Sequence, residues 1–175
     1  MGDAGMMRRI AILGALLALP LLQAAPAAAV EAGKSFGDWQ TECEAAPDGP
    51  PRCFLSQTQF IVDEKTKAKS RLIKLALGYF GPNGQGVMVV VLPLGVDLRA
   101  GAALRVDDGT PMALTFQQCL QDGCVANMAL DDKTVAALKK SKKAQIDLKP
   151  YNGAQAMAIT VSTKGITDGI AYLKP

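Results

Sequence analysis

The stretch Leu72-Ile73-Lys74-Leu75-Ala76-Leu77-Gly78-Tyr79-Phe80-Gly81-Pro82-Asn83-Gly84-Gln85-Gly86-Val87-Met88-Val89-Val90-Val91-Leu92 decides the fold. Its two apolar runs, Leu72 to Phe80 and Gly86 to Leu92, are separated by Gly81-Pro82-Asn83-Gly84, a strong turn signal. They read as a hairpin of two core strands. Toward the N-terminus, Cys53 to Val62 and Phe36 to Glu42 alternate, the second around Trp39. Toward the C-terminus, Leu104-Arg105-Val106, the turn Asp107-Asp108-Gly109 and Met112 to Phe116 predict another hairpin. Val125 to Leu130, Gln145 to Leu148 and Ala156 to Ser162 bring the expectation to about eight or nine short strands, a β-sandwich or barrel. One helix stands out. Asp131 or Asp132 caps it, Val135 and Leu138, with Ala136 as a further candidate, form its stripe, and Lys139, Lys140, Lys142 and Lys143 crowd its C-terminal end. Thr167 to Leu173 reads as a second short helix or a strand.

A chain of 175 residues with a net charge of +3 is in the range of one domain. The charge is too small to argue for nucleic acid. There is no histidine anywhere. That removes the usual general base, the commonest metal ligand and every Ser-His or Cys-His pair. An enzyme built on this chain would have to work with carboxylates, lysine or a bare cofactor. No catalytic, cofactor or metal constellation stands out. Asp107-Asp108 and Asp131-Asp132 are adjacent pairs in turn and cap positions, and neither fits a calcium loop. Gly81 to Gly86 lacks the phosphate-loop pattern.

The N-terminus has the layout of a secretory signal. Arg8-Arg9 precede the apolar stretch Ile10 to Leu22, and Ala27 and Ala29 offer a peptidase site before Val30. A cut after Ala32 is nearly as good. Thirteen apolar residues rise only about 20 Å as a helix, short of the ~30 Å hydrocarbon core, which favours cleavage over a membrane anchor. The expected organisation is therefore a signal peptide over 1–29 and one domain over 30–175, with no transmembrane span after cleavage.

Export implies an oxidising compartment, and Cys43, Cys53, Cys119 and Cys124 all follow the signal. Four cysteines allow three connectivities. Proximity favours Cys43 with Cys53 across Pro47-Asp48-Gly49-Pro50-Pro51, and Cys119 with Cys124 across Gln121-Asp122-Gly123. A zinc site prefers C-x₂₋₄-C pairs, whereas the spacings here are nine and four residues, and the C-x-x-C of a redox site is absent, so structural disulfides are the expectation.

Lys65, Lys67, Lys69 and Arg71 share parity, so an extended segment would line them along one face, with Lys74 adding to the most basic stretch of the chain. This is the candidate surface for an acidic partner or an anionic membrane; the plainer reading is a solvated edge strand or loop. Trp39, the lone tryptophan, is expected to pack in the core near Cys43 rather than serve as a ligand platform.

Several stretches together resemble the invasion-associated locus B family. They are Phe36-Gly37-Asp38-Trp39-Gln40-Thr41-Glu42-Cys43, Pro51-Arg52-Cys53-Phe54-Leu55-Ser56-Gln57 and Leu92-Pro93-Leu94-Gly95-Val96-Asp97-Leu98, followed by Phe116-Gln117-Gln118-Cys119, Gly123-Cys124-Val125-Ala126 and Val161-Ser162-Thr163-Lys164-Gly165-Ile166. The resemblance covers essentially the whole chain after the signal. It implies an all-β-dominated, immunoglobulin-like β-sandwich with one or two short helices and local disulfides, in the periplasm or on the outer surface. It implies no catalytic or ligand residues and no cofactor. Some members are linked to invasion of host cells. The resulting expectation is a non-enzymatic envelope or binding protein that contacts a protein or envelope component. A histidine-free enzyme and a structural or stress-related periplasmic protein are the alternatives.

Overall fold

The computed structural model describes residues 30–47, 49–153 and 155–174. The expected signal segment over 1–29 lies outside the described residues. The strands are β1 (Ser35–Phe36), β2 (Trp39–Glu44), β3 (Arg52–Val62), β4 (Lys69–Gly78), β5 (Gly86–Leu92), β6 (Ala102–Val106), β7 (Met112–Leu120), β8 (Gly123–Leu130), β9 (Ala144–Leu148) and β10 (Met157–Val161). Two helices, α1 (Asp132–Lys140) and α2 (Ile166–Leu173), complete the all-β-dominated fold. All strand pairs are antiparallel, in one sheet ordered β1-β2-β3-β4-β5-β8-β7-β6-β9-β10.

The opening hairpin is the centre of this sheet, with β4 paired to β5 from Lys74–Val91 to Gly78–Val87. Along β5 burial alternates strictly, with Gly86, Met88, Val90 and Leu92 inward, as a strand with one core face requires. The sheet then curls on itself through β7. Met112–Leu114 pairs with β6, whereas Thr115–Leu120 pairs with β8, and Gln117 is the extra residue of a bulge. A bulge sharpens the local twist. The two halves consequently share one core, in which Leu55, Leu75 and Met88 lie with Leu104, Ile146 and Ile159.

Mostly side chains close the gap between β10, with the residues just after it, and the first strands. The buried Gln57 on β3 accepts from Ser162 N (3.0 Å) and donates through Nε2 to Ser162 O (3.2 Å), standing in for a peptide unit. Trp39 Nε1 donates to the same carbonyl (2.9 Å), and Gln59 Nε2 donates to Thr160 O (2.7 Å). Trp39 is in the core, as expected.

The run from Phe36 to Glu42, expected as one strand, is split. Phe36 pairs with Trp39 across a two-residue turn in which Gly37 has φ +58°. Its Cβ position would lie 2.5 Å from Lys164 O, so the turn is set by a contact distant in sequence. Asp131 caps α1 by accepting from Thr134 N (2.7 Å). The ambiguous tail is helical: Ile166, Gly169, Ile170 and Leu173 bury one face of α2.

Both favoured disulfides are formed, and each joins residues directly opposite one another, Cys43–Cys53 between β2 and β3 and Cys119–Cys124 between β7 and β8. They sit at opposite ends of the sheet. With sequence separations of 10 and 5, replacing the first pair by Ala should cost about 2–3 kcal/mol and the second about 2 kcal/mol, by restored freedom of the unfolded chain. Urea midpoints of the two double variants test this. An unchanged midpoint would show that the hairpin pairing alone holds these ends.

Candidate functional site

Strand polarity sorts the exposed apolar side chains. Phe60, Ile61 and Val62 end β3; Leu94 and Leu98 lie in the segment leaving β5. Leu120 ends β7, Tyr151 follows β9, and Met157 begins β10. In the register of the antiparallel sheet, all of these positions lie at or beyond the same end. Each of the eight is between 45% and 61% exposed, and they are all the large exposed hydrophobics among the described residues. Single exposed apolar residues are ordinary, but their concentration at one end makes that end the candidate contact surface.

The β3–β4 hairpin reaches furthest. β4 pairs with β5 only from Lys74 onward, so Lys69 to Ile73 run roughly 13 Å past β5 at about 3.3 Å per residue. Between Gln59–Ile73 and Phe60–Arg71 the register shifts, with Leu72 as the extra residue, and this bulge re-aims the tip.

Of the four cations expected on one face, only two lie on a strand. Lys69 and Arg71 belong to β4, but Lys65 and Lys67 lie in the connecting turn. Parity fails there because Asp63 folds the chain back: its Oδ1 accepts from Lys65 N (3.0 Å), Thr66 N (2.7 Å) and Thr66 Oγ1 (2.8 Å), and Lys67 takes φ +59°. The backbone hydrogen bond from Thr66 holds the Asp63 carboxyl below its ordinary pKa. All four cations are exposed and occupy the same hairpin tip. Lys69 Nζ stands 4.0 Å over the Phe60 ring. Arg71 donates to the Asp122 carbonyl, tying β4 to the β7–β8 turn that Cys119–Cys124 pins.

Lys74, by contrast, belongs to the sheet, with its ammonium 2.7 Å from Glu42 Oε2. Burial pushes the Glu42 carboxyl up, but hydrogen bonds from Lys74 and Ser56 outweigh it and leave the pKa below its ordinary value.

A shallow polar cleft of about 580 Å³ lies at the β10 seam, lined by Gln59, Ser141, Lys142, Thr160, Ser162 and Lys164 among others. The carboxyls with clearly lowered pKa have structural partners instead: Glu42 in its ion pair, Asp63 in its turn, and Asp131 through Thr134 at the helix cap. None of them lines the cleft. Among the described residues no three His, Cys, Asp or Glu side chains gather as a metal site.

Leu94, Leu98, Leu120, Tyr151 and Met157 have no role in the sequence reading. Leu94 and Leu98 lie in the Leu92–Leu98 stretch, but Val96, of the same parity, is buried between them, so no local period marks the two leucines as exposed. Backbone contacts hold this segment against the β9 exit, Tyr151 N donating to Gly95 O (2.7 Å) and Asp97 N to Lys149 O (2.8 Å).

Residues 39–174 match the family model described as "Invasion associated locus B (IalB) protein". Two invasion protein B homologs, from Brucella abortus strain 2308 and from Brucella abortus biovar 1 strain 9-941, are each 29% identical over 140 residues, covering 80% of this chain and 78% of theirs. The crystal structure of invasion associated protein B from Bartonella henselae superposes with a TM-score of 0.68 at 19% identity, over 80% of this chain and 92% of that one. At that identity the likeness concerns the fold.

Proposed function

Because the chain belongs to the invasion-associated locus B family, we propose that it is an exported, non-enzymatic protein of the cell envelope that acts by contact through the apolar, cation-bearing end of its sheet. The observation that carries this reading is the collection of every large exposed hydrophobic among the described residues at that one end. Two disulfides fit an oxidising compartment, and no helix among the described residues is long and apolar enough to cross a membrane. Both agree with export by the segment 1–29. Glu31 N donates to Tyr172 Oη (3.1 Å), and Thr41 Oγ1 donates to Glu31 O (2.5 Å). A cut before Val30 keeps these contacts and one after Ala32 removes them, which favours the former. The Brucella relatives are named as invasion protein B homologs, and a role in host-cell interaction is part of the same proposal.

Site-specific photo-cross-linking in intact cells tests the reading. A photoreactive residue at Ile61 or Leu94 should yield adducts with envelope components, while one at Asn83 or Lys133, at the far end, should not. Equal labelling from both ends, or none from either, would refute a dedicated contact surface.

A further inference from the structure

We infer that the contact end docks on an anionic phospholipid surface, its apolar tips entering the headgroup region while Lys65, Lys67, Lys69 and Arg71 meet lipid phosphates. This rests on the contact reading above and names its partner.

Three features favour a lipid surface over a protein groove. The apolar side chains project from separate tips: the β3–β4 hairpin, the β5–β6 connection, the β7–β8 turn and the start of β10. Shape-matched protein partners need a continuous patch of about 800 Å² per side, whereas a fluid interface accepts scattered insertions. Cations and apolar groups are also interleaved on the furthest-reaching hairpin, where Lys69 lies over Phe60. Lysine stems of this kind follow apolar surface while their ammonium stays at the phosphate level. Finally, the charge has the required sign. The tip carries four cations against Asp63 and Glu64, and Asp63 is engaged in the turn. On the β5–β6 connection Asp97 faces Arg99 at 3.7 Å, so its charge is met locally.

Each basic residue near an anionic surface contributes roughly fivefold to partitioning. Flotation of the protein purified from cells that export it, with vesicles of phosphatidylcholine alone or mixed with phosphatidylglycerol, is the experiment. The expected result is salt-sensitive binding to the mixed vesicles only. Combining Lys65→Glu, Lys67→Glu and Lys69→Glu should weaken it about a hundredfold or more. A second variant, with Leu94→Ser, Leu98→Ser and Leu120→Ser, leaves the hairpin untouched and should weaken it about tenfold or more. Equal binding to uncharged vesicles, no binding to mixed ones, or binding that neither folded variant reduces would each overturn the assignment. Cross-links to envelope proteins alongside absent vesicle binding would remove the lipid and leave the contact reading standing. Absence of cross-links in cells would remove the contact reading itself.

Discussion

Gly165→Ala is expected to lower the stability of the protein by about 3 kcal/mol or more, enough to prevent accumulation if the starting stability is modest. Gly165 precedes α2 with φ +88°, in the left-handed region, and a Cβ there would lie 1.9 Å from Phe36 O and 2.7 Å from Gly37 N. Both neighbours are backbone, so no rotamer change relieves the overlap. The same contact carries the Asp38 N to Lys164 O hydrogen bond (3.1 Å), which fastens the chain after β10 to the β1–β2 turn. An alanine therefore pushes apart two segments that the curl of the sheet needs together. Gly33→Ala separates the contributions, since Gly33 has φ +84° but open space around its Cβ position. It should cost only about 1 kcal/mol, the backbone component alone. Urea unfolding of both variants, followed by far-UV circular dichroism, gives the comparison. Equal losses would mean that the close approach contributes nothing.

Trp39→Ala is expected to cost about 3–5 kcal/mol, the range for removing a large aromatic from a core that cannot collapse around the gap. Trp39 is buried at the seam, where it packs in the common core and donates to Ser162 O. Trp39→Phe should cost much less, about 1–2 kcal/mol, because Ser162 O keeps its bond from Gln57 and only the bulk of the second ring is lost. Circular dichroism again reads the result, since the only tryptophan fluorophore is the one removed. A Trp39→Ala loss below about 1 kcal/mol would mean that the seam is soft and the curl is held elsewhere.

Local periodicity and turn chemistry made much of this fold legible. Gly86 to Leu92 is a strand with the bounds read from the sequence, the flanking Gly-Pro-Asn-Gly forms its turn, and Asp131 caps the helix. The cysteine pairing followed from turns between near neighbours. What escaped is long-range. No local period specifies that β5 lies beside β8, or β6 beside β9. The break at Gly37 depends on Lys164, more than a hundred residues away. The candidate surface was half legible: the hairpin cations were visible as a charge run, but their parity misled because Asp63 makes a turn where an extended segment was assumed. Apart from Phe60, Ile61 and Val62 on the same hairpin, the apolar partners of those cations come from the β5–β6, β7–β8 and β9–β10 connections, and only strand order brings them to one end.

The side-chain seam also bears on how this chain behaves in company. An open sheet has two edges, and an edge with free amides and carbonyls recruits like chains into filaments. At one edge β1 has only two residues, too few to template a neighbour. At the other, Thr160 O on β10 and Ser162 N and O just after it are already occupied by Gln59, Gln57 and Trp39. The residues that complete the fold thereby blunt this edge as well, and the charged overhang of β4, Lys69 to Ile73, is left as a stretch with no strand on its β5 side.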